Sequence, residues 1–404
     1  MAGSTQVSRK IHQAQIVVIS TEIGRGHPSY LDSITEALLK KSENLSMVYT
    51  DVFHQSRPVS RSLWKVIRFL YAFGGRGGFL VRFYNSLRSK IAVPSEKSLI
   101  LKLLGRDLSR TLSGFRGICL VAHPLLARIL AQTCSVWYVH GEIAAPAECA
   151  VPNVKKIFVP LEQTRDRLTS HGADPGAIVV CGLMLEPSLA GRAEKAFHQR
   201  LERINSKMPL TVGFFTSGAY PAEHLTKMLA AAKSVVDRGM KAIIFTGTNP
   251  RKLQWFKEKM RKLNKRMVVD DGLSSDFTEN WEIKLIYRKT RQAETEKTAE
   301  LVPYLDSFVA PSHERTNWAA GLGLPMFVLF PLIGTFSPQN FEFAYRQGVC
   351  YAIDTMEKAQ NLGQIITELR ESKKSTEMAE KGFGIYRING SQAAATHILE
   401  NLAV

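Results

Sequence analysis

The chain has 404 residues, of which 45% are hydrophobic and 22% are charged, and its formal net charge is +17. This length predicts two domains, and the ordinary composition excludes a disordered chain. The five cysteines form no Cys-x-x-Cys pair, which argues against a zinc site or a disulfide framework and favours a reducing compartment. The N-terminus lacks the apolar core of a signal peptide, and no run of eighteen uncharged apolar residues is present. We therefore expect a cytoplasmic protein without a membrane-spanning helix.

The first predicted element is an apolar, β-branched strand, Ile16–Ile19, which leads into the turn Gly24–Pro28 (GRGHP) and then an amphipathic helix pattern. A strand, a glycine turn and a helix N-terminus together form a pocket for an anion, because backbone N–H groups and the helix dipole both favour negative charge. His27 is the residue of this turn best suited to proton transfer near neutral pH. The alternative is a plain βα turn, in which the glycines only permit a positive φ.

The next segment is strongly basic. No acidic residue occurs between Asp51 and Glu96, and eight arginines and lysines within residues 57–90 alternate with large aliphatic and aromatic residues. This pattern is typical of a segment that lies on an anionic membrane surface. Nucleic acid is the rival partner of a basic, aromatic segment, but no recognised nucleic-acid module accompanies it, so we expect none. A solvated helical hairpin with its basic residues outward is the remaining alternative.

Short apolar runs separated by helical patterns predict two parallel βα series. The first series has predicted strands at Gln15–Ser20, Met47–Asp51, Gly117–Ala122, Ser135–His140, Lys156–Val159 and Ala177–Cys181. The second has predicted strands at Leu210–Phe215, Lys241–Thr246, Met267–Asp270, Phe308–Ala310 and Pro325–Phe330. The charged segment Lys284–Glu300 is interpreted as a solvated loop or helix.

The two series predict an α/β fold of two doubly wound, Rossmann-like domains, residues 12–190 and 208–384, with a C-terminal helix in residues 385–404 that packs back on the first domain. Two such domains imply a cleft, and ligands of open α/β sheets bind beyond the carboxyl ends of the strands. The loops after the first strand of each domain, Gly24–Pro28 and Phe215–Ala219, are therefore expected to face it.

Five places along the chain carry a resemblance to a known family. They are Gly24-Arg25-Gly26-His27, Tyr49-Thr50-Asp51 with the basic aromatic stretch after it, Lys156 through Pro187, Phe245-Thr246-Gly247-Thr248-Asn249, and Gly321 through Pro325 with Gly334, Gln339 and Asn340. These motifs and their order resemble the glycosyltransferases of the B fold. Within that fold the chain is most similar to the diacylglycerol glycosyltransferases, namely monogalactosyldiacylglycerol synthases and processive diacylglycerol glucosyltransferases. The muramyl-lipid N-acetylglucosaminyltransferases are more distant relatives.

The resemblance implies an inverting transferase that moves a sugar from a UDP-sugar to a membrane lipid hydroxyl. The first domain would bind the lipid acceptor, with residues 57–90 on the membrane, and the second would bind the nucleotide sugar. We expect no cofactor, and no metal because no Asp-x-Asp cluster is present. The implied catalytic residues are His27 and Glu142. The implied donor-binding residues are Gly24, Arg25, Gly26, Ser217, Gly218, Gly247, Asn249, Glu314, Arg315, Thr316, Gln339 and Asn340.

The chain departs from the family in the donor region. Ser312-His313-Glu314-Arg315 stands where the family has Gly-Pro-Gly-Thr, and Trp318 stands where the family has the acidic residue that binds the ribose. Trp318 would then stack on the base or fill the ribose pocket, with Glu314 as a substitute acceptor. His123, which precedes Pro124 at a strand end, is interpreted as structural. Two alternatives stay open: a weak or inactive protein of this fold that binds lipid or nucleotide sugar, and a nucleotide-sugar epimerase.

Overall fold

A computed structural model describes residues 9–21, 26–74, 99–272 and 280–402. The chain divides into two compact units. The N-terminal unit contains the described residues up to Pro187 together with those from Arg387 onward, and the C-terminal unit contains the described residues within Ser188–Tyr386.

The N-terminal unit is built on a six-stranded parallel sheet of order β2-β1-β3-β4-β5-β6. The strands are β1 (Ile16–Ser20), β2 (Met47–Asp51), β3 (Ile118–Val121), β4 (Val136–Val139), β5 (Lys156–Val159) and β6 (Ile178–Val180). The helices are α1 (Gly26–Lys41), α2 (Val52–Gln55), α3 (Pro58–Gly74), α4 (Leu99–Leu112), α5 (Pro124–Leu130), α6 (Glu162–Ser170) and α7 (Pro187–Ala190, which crosses into the next unit). Strands covered on both faces are continuously apolar, which explains the uniform burial of β1, β3 and β4.

The C-terminal unit is built on a seven-stranded parallel sheet of order β13-β12-β11-β7-β8-β10-β9. The strands are β7 (Thr211–Phe215), β8 (Lys241–Phe245), β9 (Met267–Asp270), β10 (Ile283–Ile286), β11 (Ser307–Ala310), β12 (Met326–Leu329) and β13 (Cys350–Ile353). The helices are α8 (Ala193–Asn205), α9 (Ala222–Asp237), α10 (Pro250–Arg261), α11 (Arg291–Leu301), α12 (Thr316–Gly321), α13 (Phe336–Gln347), α14 (Met356–Gln360), α15 (Leu362–Glu371) and α16 (Lys374–Lys381).

The last helix, α17 (Gly390–Leu402), returns to the N-terminal unit. Its apolar residues Ala394 and Ile398 lie in one buried cluster with Leu31 and Ile34 of α1 and Ile16 of β1. Backbone hydrogen bonds join the start of this segment to the loop after β6, since Leu183 N donates to the carbonyl of Arg387 at 2.7 Å. Burial of these side chains holds α17 on the N-terminal sheet.

Two parallel α/β units of this kind confirm the predicted fold class of two Rossmann-like domains. All eleven predicted strands are present, with ends that differ by at most one residue. Two further strands, β10 and β13, were not predicted.

The interpretation of Lys284–Glu300 as a solvated loop or helix is wrong at the start of the segment, whereas a helix is present from Arg291 onward. The segment begins within β10, which lies between β8 and β9 with all four residues buried, and it continues into α11. Neighbouring groups accommodate its charges. The Lys284 ammonium lies 4.8 Å from the centroid of the Trp281 ring. The Lys297 ammonium contacts Glu300 at 2.7 Å and Asp270 at 3.3 Å.

Candidate functional site

The carboxyl ends of β1, β3 and β4 lie side by side in the N-terminal sheet, so the loops that follow them are neighbours. Gly26 and His27 form the start of α1 after β1. Gly24 and Arg25 lie outside the described residues. His123 follows β3, and its ring centroid is 5.1 Å from that of His27 in an edge-to-face arrangement. His123 is 2% exposed, and its side chain makes no capping hydrogen bond to α5. The structure therefore pairs the predicted catalytic His27 with a residue that we interpreted as structural.

The loop after β4 carries the second predicted catalytic residue, Glu142, which is 8% exposed. A Cβ atom on Gly141 would lie 2.4 Å from the ring of Tyr30. Only glycine lets this loop approach so closely. Tyr30 lies three residues after His27 on α1, so the same helix holds His27 and supports the Glu142 loop.

His140 fixes the start of that loop. Its Nε2–H donates to the carbonyl of Ala144 at 2.9 Å, and its Nδ1 accepts from the Tyr138 hydroxyl at 3.1 Å. Burial lowers the pKa of His140 to about 4, against the smaller opposing effect of the Ala144 carbonyl. The ring is therefore neutral at pH 7, and its two hydrogen bonds stabilise the conformation of the loop.

In the C-terminal unit, an aromatic cluster lies at the carboxyl end of β7. Phe215 stacks on Phe245 with a centroid distance of 4.3 Å, and Trp318 of α12 meets Phe215 edge-on at 5.3 Å. The Arg315 guanidinium carbon lies 4.7 Å from the Phe215 centroid and 5.2 Å from that of Trp318. Its Nη1 donates to the Glu314 carboxylate at 2.7 Å. Aromatic faces and a carboxylate therefore hold the guanidinium at the edge of the sheet.

This arrangement changes the interpretation of Trp318. Its side chain is 5% exposed and packs against Phe215 and Phe308. Its indole ring therefore belongs to the core beneath Arg315. Stacking on a base does not agree with that burial, whereas the expectation that the ring fills the ribose pocket stays a prediction.

Several buried polar atoms at this edge have no hydrogen-bond partner within the part of the chain that the structure describes. They are Thr216 Oγ1, His224 Nδ1, Arg315 Nε and Thr316 Oγ1. Thr216 directly follows β7, His224 lies in the first turn of α9, and Thr316 begins α12. Buried polar atoms are ordinarily hydrogen-bonded in native proteins, so their concentration at one edge of a sheet indicates a place where a polar ligand binds.

His224 was missed by the sequence analysis. Its Nε2–H donates to the Pro331 carbonyl at 2.8 Å, which leaves Nδ1 as a lone-pair acceptor. Burial lowers the pKa of His224 to about 4, so the ring is neutral at pH 7. No signal in the sequence marks it, since it lies nine residues beyond the end of β7.

The other predicted donor-binding residues of the C-terminal unit lie in loops after strands or at the start of a helix. Ser217 and Gly218 lie in the loop after β7, and Gly247, with a φ of +84°, follows β8. The Asn249 side chain caps α10 by accepting from Arg251 N at 3.0 Å.

Gln339 and Asn340 lie on α13. Asn340 is fully buried and donates to the Ser312 carbonyl at 3.3 Å, so its amide supports the loop before α12. Across the described ranges, no group of three or more His, Cys, Asp or Glu side chains is arranged to hold a metal ion.

A separate surface lies on α3. Ser60 and Trp64 are buried, and both donate to the Leu104 carbonyl of α4, at 2.8 and 3.3 Å. Away from that contact, Val59, Val66 and Phe69 are 68%, 54% and 59% exposed. Three exposed basic residues, Arg61, Lys65 and Arg68, accompany them on the same helix. Residues 75–90 of the predicted membrane segment lie outside the described residues. No helix in the described ranges is long and apolar enough to cross a membrane.

Comparison with known proteins identifies the fold. No protein-family model matches the chain, and no curated protein sequence matches it. Among solved structures, MurG from Acinetobacter baumannii has a TM-score of 0.56 at 12% identity, covering 96% of this chain and 99% of that chain. MnaA from S. aureus, solved with UDP, has a TM-score of 0.54 at 12% identity and covers 96% of each chain.

A Listeria monocytogenes protein assigned as a UDP-N-acetylglucosamine 2-epimerase has a TM-score of 0.54 at 15% identity, covering 96% of this chain and 95% of that chain. The chain has the glycosyltransferase B fold. Identities of 12–15% establish the fold alone. The particular resemblance to diacylglycerol glycosyltransferases stays a prediction.

Proposed function

We propose that the protein is a glycosyltransferase that moves a sugar from a UDP-sugar to a membrane lipid such as diacylglycerol. The observation that carries the proposal is the carboxyl edge of the C-terminal sheet, where Arg315 and the buried polar atoms of Thr216, His224 and Thr316 are concentrated. A nucleotide sugar needs a cation for its diphosphate and hydrogen-bonding groups for its hydroxyls, and both are present there.

The donor half of the proposal assigns the diphosphate to Arg315. Its guanidinium is held over Phe215 and Trp318, so little conformational freedom is lost when a phosphate binds. The Thr216 and Thr316 hydroxyls are candidates for further hydrogen bonds to the nucleotide. As the sugar leaves the diphosphate, negative charge grows on the departing oxygen, and a fixed cation stabilises that charge.

The acceptor half assigns the base to His27. Its imidazole would take the proton of the lipid hydroxyl while the oxygen forms a bond to the anomeric carbon and the bond from that carbon to the diphosphate breaks. Glu142, in the loop that packs on the His27 helix, would orient the acceptor or the base. The exposed apolar and basic residues of α3 would dock the N-terminal unit, as a peripheral protein, on an anionic bilayer.

The test is a transfer assay with UDP-glucose, UDP-galactose and UDP-N-acetylglucosamine, each with diacylglycerol in anionic vesicles. Formation of a glycolipid together with UDP is the expected result. UDP binding by calorimetry without any transfer would favour the alternative of an inactive binding protein.

The epimerase alternative is supported by the fold shared with MnaA and the Listeria protein. It predicts conversion of the free UDP-sugar to its epimer in the absence of lipid, which the same incubations measure. The exposed apolar residues of α3 favour the transferase, since a soluble epimerase has no need of them.

A further inference from the structure

We propose that Nδ1 of His224 accepts a hydrogen bond from a hydroxyl group of the bound nucleotide sugar. This inference rests on the proposed function, because it requires a nucleotide at the carboxyl edge of the C-terminal sheet. It assigns a ligand contact to a residue outside the motifs that carry the family resemblance.

Two parts of the chain fix the position of the His224 ring. The residue lies in the first turn of α9, directly beyond the loop that follows β7. Its Nε2–H donates to the carbonyl of Pro331, which follows β12, at 2.8 Å. The ring is therefore held between the start of α9 and the loop after β12, at the edge of the sheet where the buried hydroxyls of Thr216 and Thr316 also lie.

The tautomer determines what His224 can bind. With the ring proton on Nε2, Nδ1 carries only a lone pair and can only accept a hydrogen bond. His224 is 4% exposed, and Nδ1 has no partner among the residues that the structure describes. An unsatisfied buried acceptor is costly, so a ligand that supplies a donor there is favoured.

The chemistry of the ligand follows from that acceptor. A diphosphate offers only acceptors, whereas ribose and hexose offer hydroxyl donors. The nearby Lys227 ammonium donates to the Phe330 and Asp354 carbonyls, both at 2.8 Å, and so is already engaged. The position of the family's ribose-binding acid is occupied by the buried Trp318, so the hydroxyls need another acceptor. Nδ1 of His224 supplies one.

The experiment combines changes in the protein with changes in the ligand. Calorimetry measures the affinities of UDP, 2′-deoxy-UDP, 3′-deoxy-UDP, UDP-glucose and UDP-2-deoxyglucose for wild type and for His224→Phe, which keeps a ring and removes both nitrogens. In wild type, loss of the contacted hydroxyl should weaken binding about tenfold. In His224→Phe the same loss should change the affinity less than about twofold. The ligand that shows this coupling tells whether the hydroxyl is on the ribose or the hexose.

Two controls separate the possible failures. His198→Phe makes the same replacement at an exposed histidine of α8. In this variant, removal of the contacted hydroxyl should weaken binding as much as it does in wild type. If His224→Phe does not fold, His224→Leu, which also lacks a hydrogen-bond acceptor, replaces it. Failure of wild type to bind any of these nucleotides would overturn the proposed function. If wild type binds the nucleotides, but removal of each hydroxyl weakens binding equally in wild type and variant, the role of His224 alone is overturned.

Discussion

Arg315 lies over the ring of Phe215, the last residue of β7, with its guanidinium carbon 4.7 Å from the ring centroid. The same guanidinium donates to the Glu314 carboxylate at 2.7 Å. Arg315 is thereby held at the carboxyl edge of the C-terminal sheet, and Glu314 is already used as its counter-ion. Because the Glu314 carboxylate already pairs with Arg315, these contacts favour a role for Arg315 in binding phosphate over the expected role of Glu314 in binding the ribose.

Arg315→Met should weaken UDP binding while preserving the fold. A hydrogen bond between charged groups contributes about 1.5–3 kcal/mol, so the dissociation constant should rise at least about tenfold, as measured by calorimetry. Methionine keeps much of the apolar contact with Phe215 and Trp318, so the change isolates the charge. Arg261→Met, at an exposed position of α10, is the matched control. Equal affinities of the two variants would contradict a phosphate contact at Arg315.

Trp318→Ala should destabilise the protein. The indole is 5% exposed and packs on Phe215 and Phe308, and truncation of such a buried aromatic residue costs about 3–5 kcal/mol. Urea unfolding monitored by circular dichroism measures the change. Tyr304→Ala, at a position that is 62% exposed, should shift the free energy of unfolding by less than about 0.5 kcal/mol. A stable Trp318→Ala variant with altered nucleotide affinity would restore the view that Trp318 lines the pocket.

The sequence could predict most of the fold because strands of buried parallel sheets are continuous apolar runs. Met47–Asp51, Lys156–Val159 and Met267–Asp270 have the predicted ends. β10 was missed because Lys284 interrupts its apolar run, and the contact with the Trp281 ring helps to accommodate that lysine in a buried strand. A contact that depends on tertiary packing cannot be read from local periodicity.

Only those residues of the candidate site whose positions follow from the order of strands and loops could be predicted from the sequence. Loops after β1, β4 and β7 lie at carboxyl ends of strands, so His27, Glu142 and Ser217 could be nominated from their positions. The burial of Trp318 depends on Phe308 of β11 and on Phe215, which is distant in the sequence. The tautomer of His224 depends on the carbonyl of Pro331, 107 residues away. Such relationships require the folded chain.

The buried His140 should make the protein sensitive to mild acid. Its pKa is about 4 in the folded protein and 6.5 when unfolded, so between these values the unfolded chain binds more protons. Stability is therefore retained above pH 6.5 and lost as the pH falls toward 4, by up to about 3 kcal/mol from this group. His140→Gln should show a shallower decline in urea unfolding between pH 7 and 4.5, whereas His171→Gln, at an exposed position, should match wild type. Parallel declines in wild type and His140→Gln would contradict this account.

The α3 surface should bind anionic vesicles. Each basic residue near such a surface contributes about 1 kcal/mol, so replacing Arg61, Lys65 and Arg68 together by Gln should weaken partitioning roughly 100-fold. Val66→Ser with Phe69→Ser should also weaken it, because apolar area is lost from the bilayer contact. Sedimentation with phosphatidylserine vesicles measures both changes, and wild-type binding should fall as salt rises.

The control for the vesicle experiment is Tyr345→Ser, which removes a large aromatic side chain that is 64% exposed on the C-terminal unit. It should bind as wild type does. Equal sedimentation of wild type with neutral and anionic vesicles at low salt would contradict the electrostatic part of the prediction.

His27→Ala should abolish or cripple sugar transfer and leave the fold intact. His27 is half-buried in the first turn of α1, and its ring contacts that of His123. Loss of a general base typically slows a reaction by about 10²- to 10⁴-fold, and the loss should appear in kcat with little change in UDP affinity, since the proposed contacts of Arg315, Thr216 and Thr316 with the nucleotide belong to the C-terminal unit. His12→Ala, at an exposed histidine of the N-terminal unit, should keep the wild-type rate. A His27→Ala variant that retains activity within about threefold would make His27 a structural residue of the loop and would move the search for the base to Glu142.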